Sequence, residues 1–131
     1  NAYHASVLDA AGEEVKFVGA VYDHLTLDAL RFHAALYIHG HTVGGTNPSL
    51  VEALGAGQAV LAHDNKYNSW VAGGKSSYFN CTDDCSRKLD QVLVDLALLT
   101  EMGRGSRERF QLSFTWECIL RQYEELLLQW V

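Results

Sequence analysis

Tyr37 to Asp64 reads YIHGHTVGGTNPSLVEALGAGQAVLAHD, and the fold is decided there. Ala35-Leu36-Tyr37-Ile38 is a near-continuous apolar run, as expected of a strand covered on both faces. Gly44-Gly45-Thr46-Asn47 follows as a loop that opens onto a helix at Pro48. Asn47 is a good N-cap and Pro48 a good first helical residue. Gly57 suits the end of that helix, and Ala59-Val60-Leu61-Ala62 is the next buried strand. Strand, loop, helix, turn and strand make a parallel unit. Ligands on such sheets bind beyond the carboxyl ends of the strands, where both the glycine loop and His63-Asp64 lie.

Outward from this stretch the pattern continues. A helix is expected over Ala2 to Ala11, ending at Gly12. Val15-Lys16-Phe17-Val18 is a strand candidate with Gly19 at its exit. Leu27, Leu30, Arg31 and Ala34 carry helical spacing, which places a short helix over Leu25 to His33. Ser77-Tyr78-Phe79 is a further short strand. Leu89, Val92, Leu93 and Leu96 repeat at helical spacing behind Asp83 or Asp84 as cap. A short helix is expected at Arg107 to Leu112. A last one, capped by Thr115, carries the apolar stripe Trp116, Ile119, Leu120, Tyr123, Leu127 and Trp130. The expected fold class is α/β, a Rossmann-like parallel sheet flanked by helices.

The 131 residues suit one domain, and 48% apolar content with a single proline supports a packed core. Net charge is −6 without a Lys/Arg cluster, which disfavours a phosphodiester backbone, so no nucleic-acid partner is expected. Arg104, Arg107 and Arg109 read as a solvated helix face or loop rather than a phosphate clamp. No apolar run approaches the roughly 20 residues that cross a bilayer. The start, NAYHASVLDA, lacks the basic end and apolar centre of a signal peptide. A first residue that is not Met is expected of a piece of a longer protein. Cys81, Cys85 and Cys118 fit reduced thiols of a cytoplasmic protein better than a zinc or redox pair.

The chemistry rests on Gly44 to Glu52. Backbone N–H groups at a helix start, together with the positive helix end, form an anion site. Glu52, one turn further on, is placed to accept from sugar hydroxyls. A phosphate site with a carboxylate beside it points to a nucleotide-sugar ligand. The plain alternative is a βα turn that needs glycine sterically. Leu50, Val51 and Leu54 suggest a mostly buried helix, where Glu52 needs a partner: a ligand hydroxyl pair or a backbone N–H. His39 and His41, with His63, could cluster near the loop as metal ligands, base or phosphate donors. Each histidine taken singly reads more simply as a strand-end residue, and no metal site is expected. Asp64, Asn65, Lys66 and Asn68 read as a turn. The Trp116, Tyr123 and Trp130 stripe reads as core or domain-interface packing. No G-x-S-x-G elbow, P-loop or dinucleotide fingerprint occurs.

Three segments, VKFVGAVYDH from Val15, AALYIHGHTVGGTNPSLVEALGAGQAVLAHDNKYNSWVAGG from Ala34 and TWECILRQYEELL from Thr115, resemble the C-terminal half of GT-B glycosyltransferases. More narrowly they look like the large retaining family, group 1 or family 4. The resemblance spans Val15 to about Leu127 and is strongest from Tyr37 to Gly74. It implies an N-terminally truncated, donor-binding half of a two-domain transferase, without a cofactor. Its substrates would be a nucleotide diphosphate-sugar and a glycan acceptor held by the missing N-terminal domain. It maps the diphosphate loop onto Gly44, Gly45, Thr46 and Asn47, the ribose-binding glutamate onto Glu52, and the base onto the backbone near Ala20 and Val21. His41 joins the nucleotide-sugar set; catalytic residues stay unassigned. The family's first motif glutamate falls on Gly44, so sugar recognition must differ. The GGTNPS form is similar to bacterial polysaccharide enzymes of the rhamnosyltransferase type, which implies a 6-deoxysugar donor. Location at the inner membrane face, with peripheral contact, follows from the same likeness. Two other readings stay open: an epimerase-like GT-B protein, and a non-catalytic nucleotide-sugar-binding module.

Overall fold

The structure is a computed structural model and describes residues 2–130. Three parallel strands, β1 (Leu36–His39), β2 (Ala59–His63) and β3 (Ser77–Phe79), lie in that order in one sheet. Helices α1 (Ala2–Ala10) and α2 (His24–His33) precede β1. α3 (Pro48–Ala56) joins β1 to β2, and α4 (Lys66–Ala72) joins β2 to β3. Helices α5 (Thr82–Leu93), α6 (Leu96–Ser113) and α7 (Trp116–Leu128) follow. Among the described residues no helix is long and apolar enough to cross a membrane.

The central strand explains the apolar run. Alternate residues of β2 point to opposite faces, and Ala59 to Ala62 are all buried. Val60 and Ala62 join Leu50 and Leu54 of α3 and Val71 and Ala72 of α4 in one core cluster. Ala59 packs on the other face with Val92 of α5 and Met102 of α6. Covering both faces removes the polar side of the strand, which is why β2 shows no alternation. α3 stops where Gly57 takes a left-handed φ of 74°, which returns the chain to β2.

Five expectations need correction. Val15 to Val18 forms no strand: it runs as unpaired chain with Val15, Phe17 and Val18 exposed. A strand persists through a ladder, and this segment has none. The short helix at Arg107 to Leu112 is the last part of α6, which begins at Leu96. Gly103 sits inside α6 because the helix packs against the α3–β2 turn; a Cβ there would stand 2.6 Å from the Gly57 carbonyl oxygen. The stripe ending at Leu96 is cut: α5 ends at Leu93 and Asp95 caps α6 through Leu98 N–H at 2.9 Å. Neither Asp83 nor Asp84 caps α5; Cys81 holds that position without a side-chain bond, and Asp84 accepts instead from Asn80 N–H at 3.1 Å. Arg109 is no solvated residue: it donates to the carbonyls of Val71 (3.1 Å) and Trp70 (2.6 Å), tying α6 to α4.

The Thr115 cap is present, accepting from Cys118 N–H at 3.3 Å. α7 itself buries none of its residues, and Trp116, Tyr123 and Trp130 are exposed, so its apolar stripe is no part of this chain's core.

Candidate functional site

The site candidates gather at the carboxyl ends of β1 and β2. The chain leaves β1 at His39, runs through residues 40–47, and enters α3 at Pro48. Asn47 caps α3: its Oδ1 accepts from the N–H of Ser49 at 3.1 Å and from the Ser49 hydroxyl at 2.7 Å. Gly44 has φ 115°, a conformation open to glycine and costly for other residues. Gly45 has no such reason. A Cβ on Gly45 would meet nothing within 4 Å, so the protein's own packing leaves room there for a side chain. The N–H groups of Gly44, Gly45, Thr46 and Asn47 donate to no acceptor among the described residues. The loop therefore offers unused donors beside a helix N-terminus, the arrangement that receives an anion.

Two asparagines fix where the loop starts. Asn68 is buried on α4, and its Nδ2 donates to the carbonyls of His41 and His63, both at 2.9 Å. Asn65 adds a bond from Nδ2 to the His41 carbonyl at 3.1 Å while its Oδ1 caps α4. The stretch expected to be an ordinary turn is thus a clamp across the two strand ends. Sequence reasoning missed Asn68. The signal was present: an amide on the buried side of a short helix needs backbone partners.

The histidines divide. His39 is 1% exposed and stacks on His41, with ring centroids 4.8 Å apart and planes 16° off parallel. His39 Nδ1 lies 3.2 Å from the Tyr37 hydroxyl, which lies 2.9 Å from Ser49 Oγ. Burial holds the His39 imidazole below its ordinary pKa, and neighbouring His41 pushes the same way. His63 does not join them; it packs edge-on against Phe79 at 5.6 Å. Among the described residues no three His, Cys, Asp or Glu side chains are grouped to hold a metal ion.

Glu52 is not on a buried face. Its side chain is half-exposed and forms an ion pair with Arg31 of α2, a cation rather than a backbone N–H. The pair borders an open groove of about 530 Å³ between α2 and α3, lined also by Phe32, Val51 and Phe110. Val21 is half-buried in the chain leading to α2, and no hydrogen bond ties that chain to the glycine loop among the described residues. The structure thus joins Gly44, Gly45, Thr46, Asn47 and His41 in one continuous loop, and sets Glu52 one turn along α3.

Comparison with known proteins finds no matching family model and no matching curated protein.

Proposed function

We propose that this chain is the donor-binding part of a retaining GT-B glycosyltransferase, and that Gly44 to Asn47 receive the diphosphate of a nucleotide-sugar. One observation carries the reading. The loop N–H groups are unused, and Gly45 lacks a side chain where the protein itself would tolerate one. Open space at Gly45 leaves room for a ligand to approach the backbone there. Catalysis in such an enzyme is electrostatic: oriented N–H donors stabilise charge on the departing diphosphate. The acceptor half would lie on another domain, so transfer by this chain alone is not expected. Work at the inner membrane face on a growing bacterial glycan fits the same reading.

Gly44 has a bearing on the donor. The resemblance places a sugar-facing glutamate there, and φ 115° makes that position unfavourable for any side chain. The loop is therefore built without that carboxylate, and a 6-deoxysugar donor would be recognised by other groups. This feature also favours the non-catalytic binding module as the second reading.

Calorimetric titration with UDP, GDP and dTDP tests the assignment, repeated on Gly45→Val and Glu52→Ala. Saturable binding of one nucleotide, lost in Gly45→Val and weakened in Glu52→Ala, is the expected result. Glu52→Ala leaves stability within about 1 kcal/mol, because an exposed ion pair contributes little. Equal binding by wild type and Gly45→Val would refute the loop assignment.

A further inference from the structure

Strand β1 pairs with β2 along one side only. Among the described residues its other side is a free edge, with alternate backbone N–H and C=O groups open to a further strand. A helix of the same chain stands where a parallel neighbour at this edge would require one. The connections through α3 and α4 step across the sheet in one direction, and both helices cover the same face. Parallel crossovers are right-handed. A strand outside β1, joined to it by α2, would therefore set α2 on that face, beside α3. α2 is there already, with Arg31 paired to Glu52 of α3.

What α2 lacks is something to cover. None of its residues is buried. On the side turned from α3, Thr26, Ala29, Leu30, His33 and Ala34 line an open hollow of about 540 Å³. Residues 19–35, α2 included, lead from Val18 to β1, more than the dozen or so that a parallel crossover needs. Just before them comes the run Val15-Lys16-Phe17-Val18, whose apolar side chains are exposed. From Lys16 to Tyr22 the backbone makes no hydrogen bond among the described residues.

We propose that the free edge of β1 is the docking site of Val15–Val18, which add to the sheet as a fourth parallel strand, and that the arrangement described above is the open form of this chain. The faces set the register. Tyr37 points to the α3 and α4 side of the sheet and Ile38 to the other. With Phe17 beside Tyr37, Val15 and Phe17 lie under α2, Val18 covers the exposed Ile38, and Lys16 falls on the face opposite α2. A shift by one residue would drive Lys16 beneath the helix instead. Docking buries the apolar run, the open side of α2 and Ile38 together, and closes an edge that otherwise invites another chain. It also sets Gly19 level with His39, so Ala20 and Val21 reach the end of the sheet at which the Gly44–Asn47 loop lies. The proposal does not depend on what that loop binds.

Amide hydrogen exchange read by NMR on the whole chain, at two protein concentrations, tests this beside urea unfolding. Amides within Val15–Val18 are expected to exchange at least about tenfold more slowly than unstructured chain. Phe17→Asp separates the two forms. Phe17 is 57% exposed in the open form, where the change would leave the urea midpoint unmoved. With the strand docked, it is expected to lower the midpoint by roughly 0.5 M or more and to return these amides to the unstructured rate. Lys16→Glu, on the opposite face, is expected to change neither. The wild-type exchange rates decide even where the Phe17 variant does not fold. Unstructured rates over Val15–Val18 in the wild type would overturn the proposal. Protection of β1 that grows with protein concentration while Val15–Val18 stay unprotected would also overturn it, and would give the edge to a second copy.

Discussion

Replacing Asn68 by alanine removes one nitrogen and breaks the clamp between two strand ends. That nitrogen makes 2.9 Å bonds to the carbonyls of both His41 and His63. Each net hydrogen bond contributes about 1 kcal/mol, and a buried carbonyl left without its donor costs about 1–3 kcal/mol. The His41 carbonyl keeps its bond from Asn65 at 3.1 Å, so only the His63 carbonyl is stranded. The expected loss for Asn68→Ala is therefore about 2–4 kcal/mol, read by urea unfolding. At this chain length it lowers Tm by roughly 3–5 °C per kcal/mol. Asn68→Asp gives an internal check on the cause. A carboxylate facing two carbonyl oxygens is repelled by both, so this variant is expected to be less stable than alanine near neutral pH. Its deficit shrinks on acidification, because a protonated carboxyl can donate to one of the two. A loss below about 1 kcal/mol in Asn68→Ala, or an Asn68→Asp variant as stable as wild type at neutral pH, would refute the clamp.

Two further outcomes follow from packing and titration. Gly103→Ala is expected to destabilise by about 1–3 kcal/mol in urea unfolding, because its Cβ would press on a backbone oxygen that cannot rotate away; Gly45→Ala, with open space, is expected to be neutral for stability. The His39 imidazole, facing Tyr37 and stacked on His41, is held below its ordinary value of 6.5 by burial. The unfolded chain then binds that proton more tightly than the folded one, so stability falls as pH drops through about 6.5 and levels off below the folded pKa. Urea midpoints across this window, compared with those of His39→Phe, measure the effect; an equal slope in the variant would exclude His39 as its source.

The core unit was legible because several local signals agreed. Apolar runs, the Asn-Pro helix start and the Gly57 stop all pointed to one strand–helix–strand unit, and consistency of that kind specifies structure. The parallel α/β fold follows from it. What escaped was set by tertiary contact. Val15 to Val18 has a strand's composition, yet it pairs with no strand among the described residues. Gly103 reads as a helix breaker until Gly57 lies against it. Glu52 was expected to need a hydroxyl or an N–H, and the cation that meets it comes from α2, 21 residues away. The loop glycines were legible as a candidate anion site. The Asn47 cap was legible as well, because its oxygen bonds the local Ser49 N–H; the link from Ser49 to Tyr37 was not, because it joins side chains of different elements.

The loop is held at two points: the His41 carbonyl by Asn65 and Asn68, and Asn47 by the first turn of α3. Between them, residues 42–46 make no hydrogen bond to the protein among the described residues. Fixing a free residue costs roughly 1–2 kcal/mol in conformational entropy. A span this short, pinned at both ends, has already lost much of that freedom on folding. Folding has thus borne part of the entropic cost of ligand binding in advance. Substitutions that release either pin are then expected to weaken binding through a less favourable entropy, with the enthalpy of the phosphate contacts largely unchanged.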